Sequence, residues 1–177
     1  MRVPSRIGFF IDDWHPRIGL MLEYSGGNSS NSTPQSLHHL LTGETVPFLG
    51  DRFRLSYELC LSLCLLHSSG WLHTSIRSDN ALFAGHTNED DGRQHLQHLL
   101  LLDFEYSRPG AAFANTDAVI SAEEYQNLYR HPRTVGSMRD RFSRAFDIYS
   151  LGIILVEIGF WRPISEFWTE HQTHGIA

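Results

Sequence analysis

The sequence of 177 residues is 41% hydrophobic and 19% charged, and its formal net charge is −6. This is the composition of a globular domain with enough apolar side chains for one core, and the acidic balance argues against nucleic-acid binding, which needs a clustered basic surface. All 14 basic side chains are arginines, so the sequence offers no lysine to any chemistry that requires one.

The amino terminus lacks a basic and apolar leader, and the longest apolar run is too short to span a membrane. We therefore expect an intracellular, cytoplasmic protein.

Cys60 and Cys64 lie four residues apart on one face of a predicted helix, and two cysteines make no disulfide framework. Together with His67 they leave a tetrahedral metal site incomplete, so packing in the core is the preferred interpretation of both.

The first 24 residues predict a hairpin. Residues 6–11 and 17–24 are largely apolar, and a turn-rich pentapeptide joins them. Residues 25–33 are small and polar, which is the composition of a linker, and they predict a hinge or a domain boundary.

Two helices are predicted next. The first covers residues 34–41, with Pro34 at its start and Gly43 at its end. The second runs from a cap at Asp51 to Gly70 and is apolar nearly all round, so we expect it to be buried.

Two short strands are predicted beyond this helix, at residues 81–83 and 99–102. The spacer between them, residues 86–98, is polar and acidic, and we expect a mobile loop. We interpret His95 and His98 in this spacer as solvated side chains rather than as a metal pair.

The last third of the sequence predicts two further helices. A capping box at residues 121–124 precedes a short helix that ends near Pro132. Asp147 then reads as the cap of an almost wholly apolar helix at residues 147–159, which we expect to be buried.

Four ordered signals carry a resemblance to a known family. Residues 73–80 read His-x-x-Ile-Arg-x-x-Asn, a buried strand runs directly into Asp103 and Phe104, and residues 129–132 and the Asp147 helix follow. In this order, with a long helix before the loop, they resemble the catalytic loop, the Asp-Phe-Gly signature and the central large-lobe helix of eukaryotic protein kinases. The resemblance covers about residues 17–165.

The resemblance implies an α+β, protein kinase-like fold, mostly the helical large lobe with a remnant hairpin of the small lobe. Residues 1–24 would be the small-lobe remnant and hinge, and residues 25–177 a truncated large lobe. Similar kinase-like chains with degraded loops include fungal ones, which points to a fungal pseudokinase-type domain.

The resemblance also implies site residues. Ser75 stands at the position of the family's general base, where a hydroxyl has no proton-accepting form near neutral pH, beside Arg77 and Asn80 of the catalytic loop. Asn80 and Asp103 would be Mg²⁺ ligands that share the ion with ATP phosphates. The family's nucleotide contacts correspond to Glu23, Tyr24, Leu82, Asn80 and Asp103, and its structural contacts to His73, Phe104 and Asp147.

Departures from the family pattern bear on activity. Thr74 replaces an arginine, Glu105 replaces a glycine, and neither a glycine-rich phosphate loop nor a lysine is present. We therefore expect ATP and Mg²⁺ to bind weakly or not at all.

The resulting functional hypothesis is a catalytically impaired pseudokinase that acts as an interaction or regulatory module with a protein partner. The alternative is an ATP-dependent protein serine/threonine kinase whose missing parts lie outside this sequence. An inactive product of a degraded gene is a third interpretation.

The sequence also makes one geometric prediction. Because an unpaired buried charge is costly, Asp147 should have hydrogen-bond donors, and the family's equivalent carboxylate takes them from the catalytic loop. We expect these donors to be the backbone N–H groups of His73 and Thr74, with His73 packed between Phe104 and the helix. Asp147→Asn is expected to cost about 1–2 kcal/mol.

Overall fold

The described part of the chain is mainly helical and carries three small antiparallel sheets. The computed structural model describes residues 5–12, 17–23, 34–87, 94–110, 124–135 and 140–174. The strands are β1 Ser5–Asp12, β2 Arg17–Glu23, β3 Gln35–Ser36, β4 Trp71–Leu72, β5 Ala81–Thr87, β6 Gln94–Leu101 and β7 Arg108–Pro109. The helices are α1 Leu37–Leu41, α2 Leu49–Ser68, α3 Glu124–Asn127, α4 Arg144–Phe160 and α5 Ile164–His174, and 3₁₀ turns cover Ser78–Asn80, Phe104–Tyr106 and Pro132–Thr134.

The sheets are all antiparallel. β1 pairs with β2, which confirms the predicted hairpin. β5 lies at the centre of a three-stranded sheet between β3 and β6, with Ala81 opposite Leu101 and Phe83 opposite Leu99. β4 pairs with β7, and this pairing joins the segment before the loop at residues 73–80 to the segment after Asp103.

β5 and β6 are longer than the sequence predicted. They pair through His86 and His95 to Thr87 and Gln94, well inside the predicted polar spacer. The physical reason is that a two-stranded ladder is held by backbone hydrogen bonds and does not require apolar side chains. The centre of the spacer, the linker at residues 25–33 and the start of the capping box at residues 121–123 lie outside the described residues, as do the side chains of His95 and His98.

Three helices begin elsewhere than predicted. Ser36 caps α1, since its Oγ accepts the His39 N–H at 3.1 Å, and Pro34 lies before the cap because residues 35 and 36 pair with β5. α2 begins two residues before Asp51, and α4 begins at Arg144 after Ser143. Asp51 and Asp147 therefore stand in the first turns of their helices, where a carboxylate also interacts favourably with the helix dipole.

α2 has one buried and one exposed face, so the expectation of burial all round is wrong. Its buried face contacts α4 and β6, whereas the other face leaves Phe53 and Tyr57 about two-thirds exposed. Cys60 and Cys64 lie on the exposed side, and their predicted place in the core is also wrong. A single helix can turn only part of its circumference to its neighbours, and an apolar sequence does not ensure that the remainder is covered. The same holds for α4, which was also expected to be buried but leaves Ile148 and Val156 exposed.

The core lies between α1, α2, α4 and the β5–β6 pair. Its members are Leu37, Leu40, Leu41, Leu55, Leu59, Leu63, Leu66, Ile76, Ala81, Phe83, Leu99, Tyr129, Leu151, Ile154, Ile158 and Trp161. Within the described residues no single helix is both long and apolar enough to cross a membrane; α4 and α5 meet that test only as a pair, bent by 86°.

Asp147 is fully buried, and its carboxylate accepts three hydrogen bonds. Oδ1 accepts the Thr74 N–H at 2.8 Å, and Oδ2 accepts the His73 N–H at 2.9 Å. The third donor is Nε2 of His67 on α2, also 2.9 Å from Oδ2. The predicted hydrogen bonds to the backbone at residues 73 and 74 are confirmed, and the ring of His73 packs 4.7 Å from that of Phe104.

Glu157 is a second fully buried acid on α4, three turns after Asp147. Its Oε1 accepts the hydroxyl of Tyr129 at 2.6 Å and the backbone N–H of Ile164 at 2.8 Å, so it joins residue 129 to the first residue of α5. Tyr129 in turn shares a hydrogen bond of 2.7 Å with Ser78. Burial raises the pKa of Glu157 to about 7, and Oε2 has no hydrogen-bond partner among the described residues.

Asp147→Asn should destabilise the protein by more than the loss of charge alone. An amide has one accepting oxygen, so its NH₂ group would face either the Thr74 N–H or the donors from His73 and His67. We expect the free energy of unfolding to fall by about 3 kcal/mol. Denaturant unfolding measures the change, with Asp51→Asn as the control in another first helical turn. Equal losses of under about 1 kcal/mol in both variants would contradict this account.

Glu157 should make stability depend on pH. Its pKa in the folded protein, about 7, is above the ordinary value of 4.5, so its contribution is full below the unfolded value and is lost as pH rises through 7. The loss between about pH 4.5 and 7 amounts to about 3 kcal/mol. In Glu157→Gln, unfolding curves at several pH values should show a smaller decline over this interval. Glu166→Gln, an exposed control on α5, should retain the wild-type decline; parallel curves for wild type and Glu157→Gln would exclude the proposed titration.

Candidate functional site

Asp103 lies at the turn that follows β6. Its backbone is left-handed, with φ 64° and ψ 53°, a conformation that aspartate tolerates better than most residues. Just before it, the Leu102 N–H donates to the carbonyl of Asn80 at 2.8 Å and fixes the turn against the loop at residues 73–80. The Asp103 carboxylate is therefore held facing that loop, with its side chain 21% exposed.

One oxygen of Asp103 collects three donors from the loop. Its Oδ2 accepts the Ser75 hydroxyl at 2.7 Å, Nδ2 of Asn80 at 2.7 Å and Nη2 of Arg77 at 3.1 Å. The structure thus brings together four of the residues that the sequence singled out for chemistry. Arg77 carries the only positive charge among them, and it neutralises the carboxylate directly.

The Asn80 amide has a defined orientation. Its Nδ2 also donates to the carbonyl of Ser75 at 2.8 Å, and because that carbonyl and the Asp103 carboxylate only accept, the NH₂ side must face both. Asn80 and Asp103 are thus hydrogen-bonded to each other, whereas two ligands of one Mg²⁺ would both present oxygens to it. In this arrangement the pair does not fit a metal ion, which would have to displace Arg77 and turn the amide. The described residues also contain no cluster of three or more His, Cys, Asp or Glu side chains that would hold one.

The first half of the loop is held in a strained conformation. Thr74 has φ 67°, which is unfavourable for a β-branched residue. Its N–H donates to Asp147, and its hydroxyl donates to the Tyr106 carbonyl at 2.8 Å. His73 is fully buried, and burial lowers its pKa, so the ring is neutral. Its Nδ1 accepts the Ser75 N–H at 3.3 Å, which leaves the ring proton on Nε2.

Of the five residues predicted to contact a nucleotide, Asn80 and Asp103 are hydrogen-bonded to each other. Leu82 lies in β5 opposite Leu100 and is partly exposed. Glu23 ends β2 opposite Ser5, and its side chain is not among those described. Tyr24 lies outside the described residues, so the nucleotide contacts of all three stay predictions.

Sequence reasoning missed the network that links Ser78, Tyr129 and Glu157. Its one visible signal was an acidic side chain within the apolar run of α4, because an acid at such a position is costly to bury unless it has donors. Ser78 and Tyr129 gave no comparable signal, since hydroxyl groups occur in many environments. Their pairing depends on the approach of segments 51 residues apart.

Comparison with known proteins adds sequence and fold similarity. No protein-family model matches the chain. Two curated relatives, the mitogen-activated protein kinases 13 of Oryza sativa subsp. indica and subsp. japonica, are each 30% identical over 110 residues, which is 61% of this chain and 19% of each relative. The chain thus spans about a fifth of their length.

A solved kinase complex contains a chain whose fold is similar to that of this protein. The crystal structure of the yeast RNA polymerase II CTD kinase CTDK-1 complex contains a chain that matches with a TM-score of 0.61 at 20% identity, over 92% of this chain and 46% of that one. The fold is mixed helix and strand, as the sequence predicted, and corresponds to a kinase large lobe with a small-lobe remnant. The chain is therefore protein kinase-like in both its sequence and its fold.

Proposed function

We propose that the chain is a catalytically impaired kinase-like domain that acts by binding a protein partner, as an interaction or regulatory module. The observation that carries the proposal is the hydrogen bond from the Ser75 hydroxyl to Asp103 Oδ2, at 2.7 Å. At the position where the resemblance expects a general base, the chain has a donor, and that donor is directed at the carboxylate expected to bind metal.

Ser75 cannot supply the proton transfer that the family's carboxylate supplies. An aliphatic hydroxyl has no accepting form near neutral pH, and a positioned base contributes about 10²–10⁴-fold to a rate. The other carboxylate in the loop, Asp79, interacts electrostatically with Tyr125 and Glu157, on the side of α4 and α3. It makes no hydrogen bond to the Asp103 cluster.

The second line of support is electrostatic. Phosphoryl transfer depends on positioning and on stabilisation of phosphate charge by metal ions and cationic side chains. Here Arg77 forms a salt bridge with the carboxylate of Asp103, and the sequence has no lysine to pair with the phosphates. We therefore propose that ATP and Mg²⁺ bind weakly or not at all.

A protein partner is favoured by three exposed side chains on one face of α4, those of Ile148, Val156 and Phe160.

The alternative is an ATP-dependent protein serine/threonine kinase whose remaining parts lie outside this sequence. The retained frame favours it, since Asp147 still holds the loop and Asn80 still contacts Asp103. So do the two relatives, which are named as kinases and which this chain covers only to 19%. A cytoplasmic location and a fungal origin remain predictions under both hypotheses.

Phosphate transfer from radiolabelled ATP to a general protein substrate should stay at background for the wild-type chain, with Mg²⁺ or Mn²⁺ present. Asp103→Ala, which removes the carboxylate, should give the same counts, and so should Asp140→Ala, which changes a carboxylate outside the cluster. Transfer that Asp103→Ala abolishes and Asp140→Ala preserves would overturn the proposal and support the alternative.

Arg77→Met should strengthen Mn²⁺ binding in electron paramagnetic resonance titrations, because it removes the cation that competes for Asp103.

A further inference from the structure

The outer face of α2 is apolar and uncovered. Four large side chains on it follow one another at intervals of four residues and are between 39% and 67% exposed: Phe53, Tyr57, Leu61 and Leu65. Residues at this spacing are neighbours on the surface of a helix, so these four form a continuous stripe. A stripe of this kind is suited to contact with another apolar surface.

Both cysteines of the chain lie on this outer face. Free cysteine is among the residue types that are most often buried, yet Cys60 and Cys64 are both exposed. Because they are four residues apart on a helix, their Cβ atoms are separated by about 5–6 Å. A tetrahedral Zn²⁺ ion with Zn–S bonds of about 2.3 Å holds two sulfur atoms about 3.8 Å apart. Rotation of the two side chains can therefore bring both sulfur atoms to one ion.

One chain does not complete such a site. A closed zinc site has four protein ligands. His67, the third metal-binding side chain in this row, is buried, and its Nε2 lies 2.9 Å from Oδ2 of Asp147. Among the residues that the structure describes, no three His, Cys, Asp or Glu side chains are grouped to hold a metal ion. A second copy of the chain would supply the two missing ligands as another pair of cysteines in the same arrangement.

We propose that two copies of the chain pair through the outer faces of α2 and bind one Zn²⁺ ion between them, through Cys60 and Cys64 of each copy. An antiparallel crossing between residues 60 and 64 places Cys60 of each copy opposite Cys64 of the other, because a two-fold axis exchanges the two helices. The axes of packed helices are about 8–10 Å apart, which leaves room for an ion held by four sulfur atoms. Binding forms four Zn–S bonds and releases the four thiol protons to solvent.

The size and charge of the face fit this arrangement. From Leu49 to Leu65 it is about 24 Å long, and half the circumference of a helix about 11 Å wide is about 17 Å, so its area is about 400 Å². A standard interface buries about 800 Å² on each partner, so apolar contact alone is too small for a stable dimer and pairing should depend on the metal ion. Arg54 and Glu58 on α2 form an ion pair with each other, so two copies meet there without a net like charge.

The test is a titration of the reduced full chain with Co²⁺, a coloured ion that replaces Zn²⁺ in tetrahedral thiolate sites. Sulfur-to-cobalt charge-transfer absorption should saturate at one ion per two chains, and Zn²⁺ should displace the Co²⁺. Light scattering should show a dimer with Zn²⁺ and a monomer with EDTA. Cys60→Ser and Cys64→Ser should each abolish the absorption and the dimer, because each removes two of the four ligands. His171→Asn, which changes an exposed metal-binding side chain on α5, should preserve both.

A second pair of variants tests whether the outer face of α2 is the contact. Tyr57→Glu should raise the Co²⁺ concentration at half-saturation about tenfold or more, because it places an unpaired charge in the apolar contact. Trp168→Glu makes a similar change at a side chain on α5 that is 48% exposed, and it should alter this concentration by less than about twofold.

Several outcomes would overturn the zinc site. These are the absence of thiolate absorption, saturation at one ion per chain without a dimer, absorption that survives either serine substitution, or equal effects of Tyr57→Glu and Trp168→Glu. A dimer that persists in EDTA and is dissociated by a thiol reductant would indicate a disulfide between the copies and would also reject the site.

Discussion

The buried carboxylate of Asp147 is the constraint on which the rest of this structure depends. It sits in the first turn of α4 and accepts hydrogen bonds from His73, Thr74 and His67, so one side chain joins α4, α2 and the loop between β4 and β5. A buried charge with three donors is stable, whereas the same charge with none would be costly. The strained backbone of Thr74 persists because this carboxylate and the Tyr106 carbonyl hold it.

In this chain, the hydrogen bonds that hold the kinase-like loop in place do not depend on the side chains expected to carry out chemistry. The contacts of Asp147 use backbone N–H groups, which every residue except proline provides, so they survive the presence of Thr74 and Ser75 in place of charged residues. The contacts of Asp103, in contrast, are made by side chains: Ser75 donates to it and Arg77 neutralises it. The result is a polar cluster in which one oxygen of Asp103 accepts hydrogen bonds from Ser75, Arg77 and Asn80.

Much of this arrangement could be predicted from the residues, for physical reasons that differ between elements. The hairpin and the long helix follow from apolar patterns, and the cost of a buried charge predicts that Asp147 has donors. The identity of those donors and the packing of His73 against Phe104 were implied by the resemblance to kinases. The exposure of the cysteines on α2 could not be predicted, because the composition of a helix does not show which face is covered. The length of β5 and β6 could not be predicted either, because strand pairing depends on backbone hydrogen bonds. The sequence suggested that Asn80 and Asp103 offered oxygens to a metal, but it could not show that the amide presents its nitrogen.

The most direct test of the role of Asp147 is native-state hydrogen exchange at the amides of His73 and Thr74. Both belong to a segment without helix or strand structure, and would exchange rapidly if nothing held them. If the buried carboxylate anchors the loop, both amides should exchange as slowly as the amides in the middle of α4. Asp147→Asn should increase the exchange rates of these two amides but not those of amides in the centre of α2. Exchange of these two amides at the rate of an exposed loop in the wild-type chain would contradict the account.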